Sequence, residues 1–184
     1  MLFVLFVLPS TWAENWPRFR GPNGSGVSEG GSFPSVFGPD TNVVWKAELP
    51  SGHSSPSIWG DRIFLTGYDG ENLLTICVNR SSGAIEWRRS VPPTSIERGS
   101  RNGSPAASTP TTDGRRVYVY FGSFGLVCYD VGGEELWRRP LPVPVTQHGA
   151  ATSPIVVNGL VILANDQDME SNLLAVDAET GEDV

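Results

Sequence analysis

Few side chains in this 184-residue sequence are suited to chemistry, and a histidine and a group of carboxylates lead them. His148 sits in Gln147-His148-Gly149. An imidazole can act as a general base. No serine or cysteine can be assigned to it as a nucleophile from spacing, so a hydrogen-bonding role in a loop is the preferred reading. His53, in Gly52-His53-Ser54-Ser55-Pro56, is read the same way. Asp166-Gln167-Asp168-Met169-Glu170 places carboxylates at alternate positions, and Ca2+ takes oxygen donors of this kind. The stretch lacks the glycine and the later glutamate of an EF-hand loop. A solvated acidic loop is therefore favoured and no metal site is assigned. Arg98 and Arg101, with Asn102 beside them, could clamp a carboxylate. Gly122-Ser123-Phe124-Gly125 looks like a phosphate loop, but it joins two β-like runs and no helix follows to help hold the anion, so it is read as a turn.

The elements that must position these residues come from an internal repeat. Three segments, 54–87, 108–137 and 152–184, align. Each opens with a small hydroxyl residue followed by Pro56, Pro110 or Pro154. A short β-like run follows, then a turn at Gly60-Asp61, Asp113-Gly114 or Asn158-Gly159. In the last two pairs both central residues can take positive φ, which favours a tight hairpin. Second strands are expected at 63–66, 117–121 and 160–164. Third strands are expected at 73–78, 126–129 and 173–176, ending at Asn79, Asp130 or Asp177. A glycine turn then leads to a fourth strand. Gly83 precedes Trp87 by four residues, and Gly133 precedes Trp137 by four. Gly181 is followed by three residues, so the sequence reads as a piece of a longer repeat array. Trp45, in a run that looks like a fourth strand without its first three, lies 42 residues before Trp87, and Trp137 lies 50 after it.

These spacings suit four-stranded propeller blades. With no long 3.6-residue apolar stripe, the fold class is all-β: an incomplete β-propeller of four-stranded antiparallel blades, about three of them, over 42–184. Residues 14–41 read as an N-terminal extension. A four-stranded sheet has two apolar faces and must be stacked to bury both. The repeat also predicts where the loops fall. Segments 90–107 and 140–151 lead into first strands, and 67–72, 122–125 and 165–172 join second to third strands. All reach one end of the fold. They gather Arg98, Arg101, Asn102, Gln147, His148, Asp69, Glu71, Asp166, Asp168 and Glu170 into a mixed-charge rim. Such a rim suits a polar ligand, or a protein or polysaccharide partner.

Charge and composition narrow the field. The chain has 20 acidic and 13 basic residues, for a net charge of −7, which argues against nucleic acid and anionic membrane as main partners. Apolar residues at 39% are enough for a core, which argues against wholesale disorder. The run 2–8, LFVLFVL, is too short to span about 30 Å of hydrocarbon. With Thr11-Trp12-Ala13 after it, it reads as an export signal over 1–13, although no basic residue precedes it. The expected address is periplasmic or extracellular, with no membrane span after cleavage.

Cys77-x-Asn79-x-x-x-Gly83-x-x-x-Trp87 and Ala175-x-Asp177-x-x-Thr180-Gly181 resemble the tryptophan-docking repeat of pyrroloquinoline-quinone-like (quinoprotein-type) β-propellers. Cys128-x-Asp130-x-x-Gly133 is one residue shorter. Trp16-Pro17-Arg18-Phe19-Arg20-Gly21-Pro22 is similar to the opening of exported bacterial members. The resemblance implies that Trp45, Trp87 and Trp137 wedge between sheets, over a small residue (Cys77, Cys128, Ala175) and against a glycine (Gly83, Gly133, Gly181). The two cysteines then occupy equivalent places in neighbouring blades, too far apart for a disulfide. The family holds scaffolds and enzymes alike, and catalytic residues cannot be assigned. An exported, non-catalytic binding or scaffold module is the favoured function, and no cofactor is assigned. The alternative is a pyrroloquinoline quinone (PQQ)-dependent dehydrogenase oxidising an alcohol or sugar. For that class the resemblance implies the quinone on a tryptophan floor, Ca2+, a catalytic aspartate and often a disulfide between adjacent cysteines; no adjacent pair occurs here.

Overall fold

The computed structural model of the protein describes residues 14–30, 33–97 and 103–184. The expected export signal and the rim residues Arg98, Arg101 and Asn102 lie outside the described residues.

The described residues are all-β, and no helix among them is long and apolar enough to cross a membrane. Strands β1 (Ser57–Trp59), β2 (Arg62–Tyr68), β3 (Leu73–Asn79) and β4 (Ile85–Val91) form an antiparallel sheet in that order. Strands β5 (Thr111–Thr112), β6 (Arg116–Phe121), β7 (Gly125–Asp130) and β8 (Glu135–Pro140) repeat it. Strands β9 (Ile155–Val157), β10 (Leu160–Asn165) and β11 (Asn172–Asp177) form a third sheet. A bridge from Val176 to Asp183 marks the fourth-strand position beside β11. The fold is thus a partial β-propeller of four-stranded blades. Both complete sheets carry a β-bulge at the same place, between Cys77 and Val78 and between Cys128 and Tyr129.

Turn chemistry explains the strand ends. Asn158 and Gly159 have φ of 49° and 77°, the two positive angles of a tight hairpin turn. Gly60 is positive at 57° and Asp61 is not, so that turn needs glycine first. The expected tight turn at Asp113-Gly114 is corrected. Only Gly114 is positive, at 88°, and Asp113 acts through its side chain: Oδ1 accepts from the amides of Arg115 and Arg116, both at 2.8 Å. Asn79, Asp130 and Asp177 close the third strands in the same way, accepting amide hydrogens from residues two to four further on. The shorter middle repeat is absorbed here. Gly83 and Gly181 donate to the carbonyl four residues back, whereas Gly133 donates to the carbonyl three back.

The middle sheet is apolar on both faces because it is covered on both. Val117, Val119, Phe121, Val127 and Tyr129 pack with Phe64, Cys77 and Trp87 of the first sheet. Tyr118, Tyr120, Leu126 and Cys128 pack with Val161, Leu163 and Val176 of the third. Alternate residues of a strand face opposite ways, so one run serves two cores. The hydroxyl-proline pairs also gain a reason. The Ser55 amide donates to Thr109 Oγ1 at 3.0 Å, and the Thr109 amide donates to Ser153 Oγ at 3.0 Å. Each hydroxyl so placed ties its sheet to the one before.

Residues 42–50, expected to hold a fourth strand around Trp45, contain no strand. A strand exists by virtue of its hydrogen-bonded neighbour, and no neighbouring strand for this run is among the described residues. Trp45 nevertheless covers Leu74, Ile76 and Val78 on the outer face of the first sheet.

Cys77 and Cys128 are free and buried. Burial, with Glu86 nearby, pushes the Cys77 thiol up to about 12, and burial pushes Cys128 up as well. Both should resist an aromatic disulfide reagent at pH 8 in the native protein and react once it is unfolded in urea. Rapid titration of either thiol without denaturant would contradict this packing.

Candidate functional site

The sheets present two kinds of end. One carries the turns β1–β2 and β3–β4 and their counterparts. The other carries the loops β2–β3, β6–β7 and β10–β11 and the segments leading into β5 and β9. We call these the turn end and the loop end.

A cleft of about 510 Å3 opens at the loop end of the third sheet. One wall is the segment leading into β9, with Thr146, Gln147 and His148; the other is the β10–β11 loop, with Asp166, Gln167 and Asp168. The walls are tied together. The Asp168 amide donates to the Val145 carbonyl at 2.8 Å, and the Val145 amide donates to Gln167 Oε1 at 3.1 Å. Within the β10–β11 loop, Ser171 Oγ donates to the Gln167 carbonyl at 2.8 Å, and Asp166 Oδ1 stands 3.1 Å from the same hydroxyl. The hydroxyl of Thr146 accepts from the Gly149 amide at 2.8 Å.

Four of the expected rim residues, Gln147, His148, Asp166 and Asp168, therefore line one cleft. Asp69 and Glu71 belong to the β2–β3 loop, where Asp69 Oδ1 accepts from the amides of Glu71 and Asn72. These bonds hold the Asp69 carboxyl below its ordinary range. Glu170 sits exposed at the tip of its loop with φ of 55°. His53 is exposed, with its amide donating to the Ala106 carbonyl at 2.9 Å. Gly122, Ser123 and Phe124 form the turn expected of them.

Glu97 is a residue the sequence reading missed. It is 6% exposed, and Oε2 accepts from the Ala150 amide at 2.5 Å. Its own amide donates to Ser123 Oγ at 3.0 Å. Ala150 lies between two cleft-lining residues, Gly149 and Ala151, so this carboxylate holds the cleft wall from behind. Nothing in a lone glutamate among loop residues signals such burial.

Burial raises the Glu97 pKa, against the Ala150 hydrogen bond, which lowers it. A carboxyl raised on folding binds its proton more tightly in the native state. Its contribution to stability is fully present below the unfolded value, near 4.5, and is lost as pH rises through the folded value. Glu97→Gln should therefore match the wild type near pH 4 and melt at a higher temperature than it at pH 7. Equal melting temperatures across that range would refute this account.

The positions between the sheets, with Trp45 on the outer face of the first, form a second constellation. Trp45, Trp87 and Trp137 donate their Nε1–H to the carbonyls of Arg80, Val131 and Ala178, at 2.8, 3.0 and 3.2 Å. Their rings lie on Gly83, Gly133 and Gly181; a Cβ there would fall 2.6–2.7 Å from the ring. Cys77 and Cys128 pair across strands with Trp87 and Trp137 of their own sheets. Ala175 holds the equivalent place on β11. Arg89 and Arg139, two residues after the tryptophans, donate to the carbonyls of Gly133 and Gly181. The duplicated Trp-Arg-Arg at 87–89 and 137–139 was a readable signal of this.

Fold and site together define a blade array of the quinoprotein-like propeller class, with a polar cleft at its loop end. The family model of the outer membrane protein assembly factor BamB matches residues 75–184, and the chain belongs to this PQQ-like repeat family. No curated protein matches the chain. Among solved structures, a europium-containing methanol dehydrogenase is similar at 15% identity and a TM-score of 0.57, over 74% of this chain and 24% of that one. BamB from Moraxella catarrhalis is similar at 19% and 0.52, over 76% and 37%. A quinohemoprotein alcohol dehydrogenase from Comamonas testosteroni is similar at 18% and 0.52, over 73% and 20%. At these identities the likeness is one of fold, and the chain spans between a fifth and two fifths of each.

The dehydrogenase resemblance implies a quinone on a tryptophan and a Ca2+ ion. The described tryptophans are committed elsewhere: Trp45 on the outer face of the first sheet, Trp87 and Trp137 between sheets, Trp59 against Gly114, and Trp16 against Gly21. Among the described residues no three His, Cys, Asp or Glu side chains converge as metal ligands.

Proposed function

We propose that this chain is part of an exported PQQ-like propeller that acts as a non-catalytic binding or scaffold module, taking a protein loop or a polysaccharide at its loop end. The observation that carries the reading is the cleft between the segment leading into β9 and the β10–β11 loop. It presents an imidazole, amides, hydroxyls and two carboxylates on tied walls. Such a surface offers many hydrogen-bonding groups to a polar partner. Membership in the family described for an outer membrane assembly factor supports a role in the cell envelope, periplasmic or extracellular.

The second reading is a PQQ-dependent dehydrogenase, favoured by the likeness in fold to two alcohol-oxidising enzymes. Under it the quinone and Ca2+ would be held by residues outside those described.

Two measurements separate the readings. A photo-crosslinking residue placed at Gln147 or Asp168 in cells should capture a discrete partner, while one placed at Ser82, at the turn end, should not; a glycan array probed with purified protein covers the polysaccharide case. Saturable binding of PQQ with Ca2+ by the full-length protein, with dye reduction on an alcohol or sugar, would replace the first reading with the second.

A further inference from the structure

We propose that residues 15–22 are a built-in strap that pins the first two sheets together at their inner edges and closes the turn end of the fold. The innermost strands are the shortest, β1 with three residues and β5 with two, and among the described residues no strand lies beside their inner edges. An open strand edge presents unpaired amide and carbonyl groups. Here the chain covers its own edges. Trp16 pairs with Ile58 in an antiparallel bridge, with N···O distances of 2.8 and 2.7 Å in the two directions. Asn15 Oδ1 accepts from the Gly60 amide at 2.8 Å. One residue on, the Pro17 carbonyl accepts from the Thr112 amide of the second sheet at 2.9 Å. Three consecutive residues thus hold two sheets.

The strap is stiffened from within. The Gly21 amide donates to the Arg18 carbonyl at 3.0 Å, and the Arg18 guanidinium donates to the carbonyls of Gly21 and Pro22 at 3.1 and 2.7 Å. The Trp16 ring lies on Gly21, whose φ is 78° and where a Cβ would fall 2.8 Å from the ring. This glycine is needed both for its backbone angle and for the close approach. Proline at 17 costs the strap nothing, since its carbonyl is the group used and it has no amide to satisfy.

Hydrogen exchange of the full chain, read by mass spectrometry, tests the strap. Trp16→Pro removes the amide that donates to Ile58, and Asn15→Ala removes only the acceptor for Gly60. In Trp16→Pro, peptides covering 57–61 and 111–113 should exchange at least about tenfold faster, and 172–177 should be unchanged. In Asn15→Ala, 57–61 should exchange faster by a smaller factor. Unchanged exchange at both sites in Trp16→Pro would overturn the strap. So would equal acceleration in all three sheets, which reports general destabilisation. If Trp16→Pro does not fold, Asn15→Ala decides alone: protection of 57–61 identical to wild type counts against the proposal.

Discussion

Trp87→Ala should lower the free energy of unfolding by about 3–5 kcal/mol, measured by urea denaturation of the full chain. The indole is 8% exposed and sits in the core shared by the first two sheets. It lies 6.0 Å, centroid to centroid, from Phe64 of its own sheet and 5.9 Å from Tyr129 of the next. Alanine would leave a cavity in the core shared by the two sheets, and the Val131 carbonyl would lose its donor. Trp87→Phe should recover part of the loss, because it refills volume without restoring the hydrogen bond. A cost below about 1 kcal/mol for Trp87→Ala would mean that the ring does not hold the sheets together.

Gly133→Ala is the complementary change. The position has φ of 88°, and an added Cβ would meet Trp87 atoms at 2.7, 2.9 and 3.1 Å. The backbone angle alone costs an alanine about 1–2 kcal/mol. Overpacking against the ring adds about 1–3 kcal/mol. The two terms separate in a double-mutant cycle. In a Trp87→Ala background the overpacking vanishes and only the backbone cost remains, so the two substitutions should be less costly together than their sum by at least about 1 kcal/mol. Gly159→Ala is the control, because nothing lies within 4 Å of its added Cβ and its φ of 77° carries the backbone cost alone. Strict additivity at Trp87 and Gly133 would show that the ring and the glycine act separately.

The parts of the molecule that were legible in the sequence are those that repeat. Glycine four residues before tryptophan recurs because each indole needs a bare peptide from the neighbouring repeat, and the short turn at Asp130–Gly133 lets the glycine amide reach the equivalent carbonyl with one residue fewer between them. Loop positions followed from strand order, which is why Gln147, His148, Asp166 and Asp168 could be gathered on one rim before any geometry was known. The turn at Asp113 was misread because aspartate can close a turn with its backbone or with its carboxylate, and the residue type does not say which. The strand at Trp45 was misread for a related reason: its indole docks locally, but strand pairing needs a partner that the run does not contain.

The amino-acid order by itself determined the sheets, their antiparallel succession, and which faces are apolar. These depend on alternation, turn residues and repeat spacing, all of them local. The tertiary structure alone decided that Glu97 is buried behind the cleft, that the Thr146 hydroxyl accepts from the Gly149 amide, and that residues 15–17 reach two sheets about 40 and 95 positions further along. Each of these joins groups distant in sequence and without periodicity. Their contacts are set by where loops and an N-terminal segment land on a finished scaffold, and no rule of spacing encodes that.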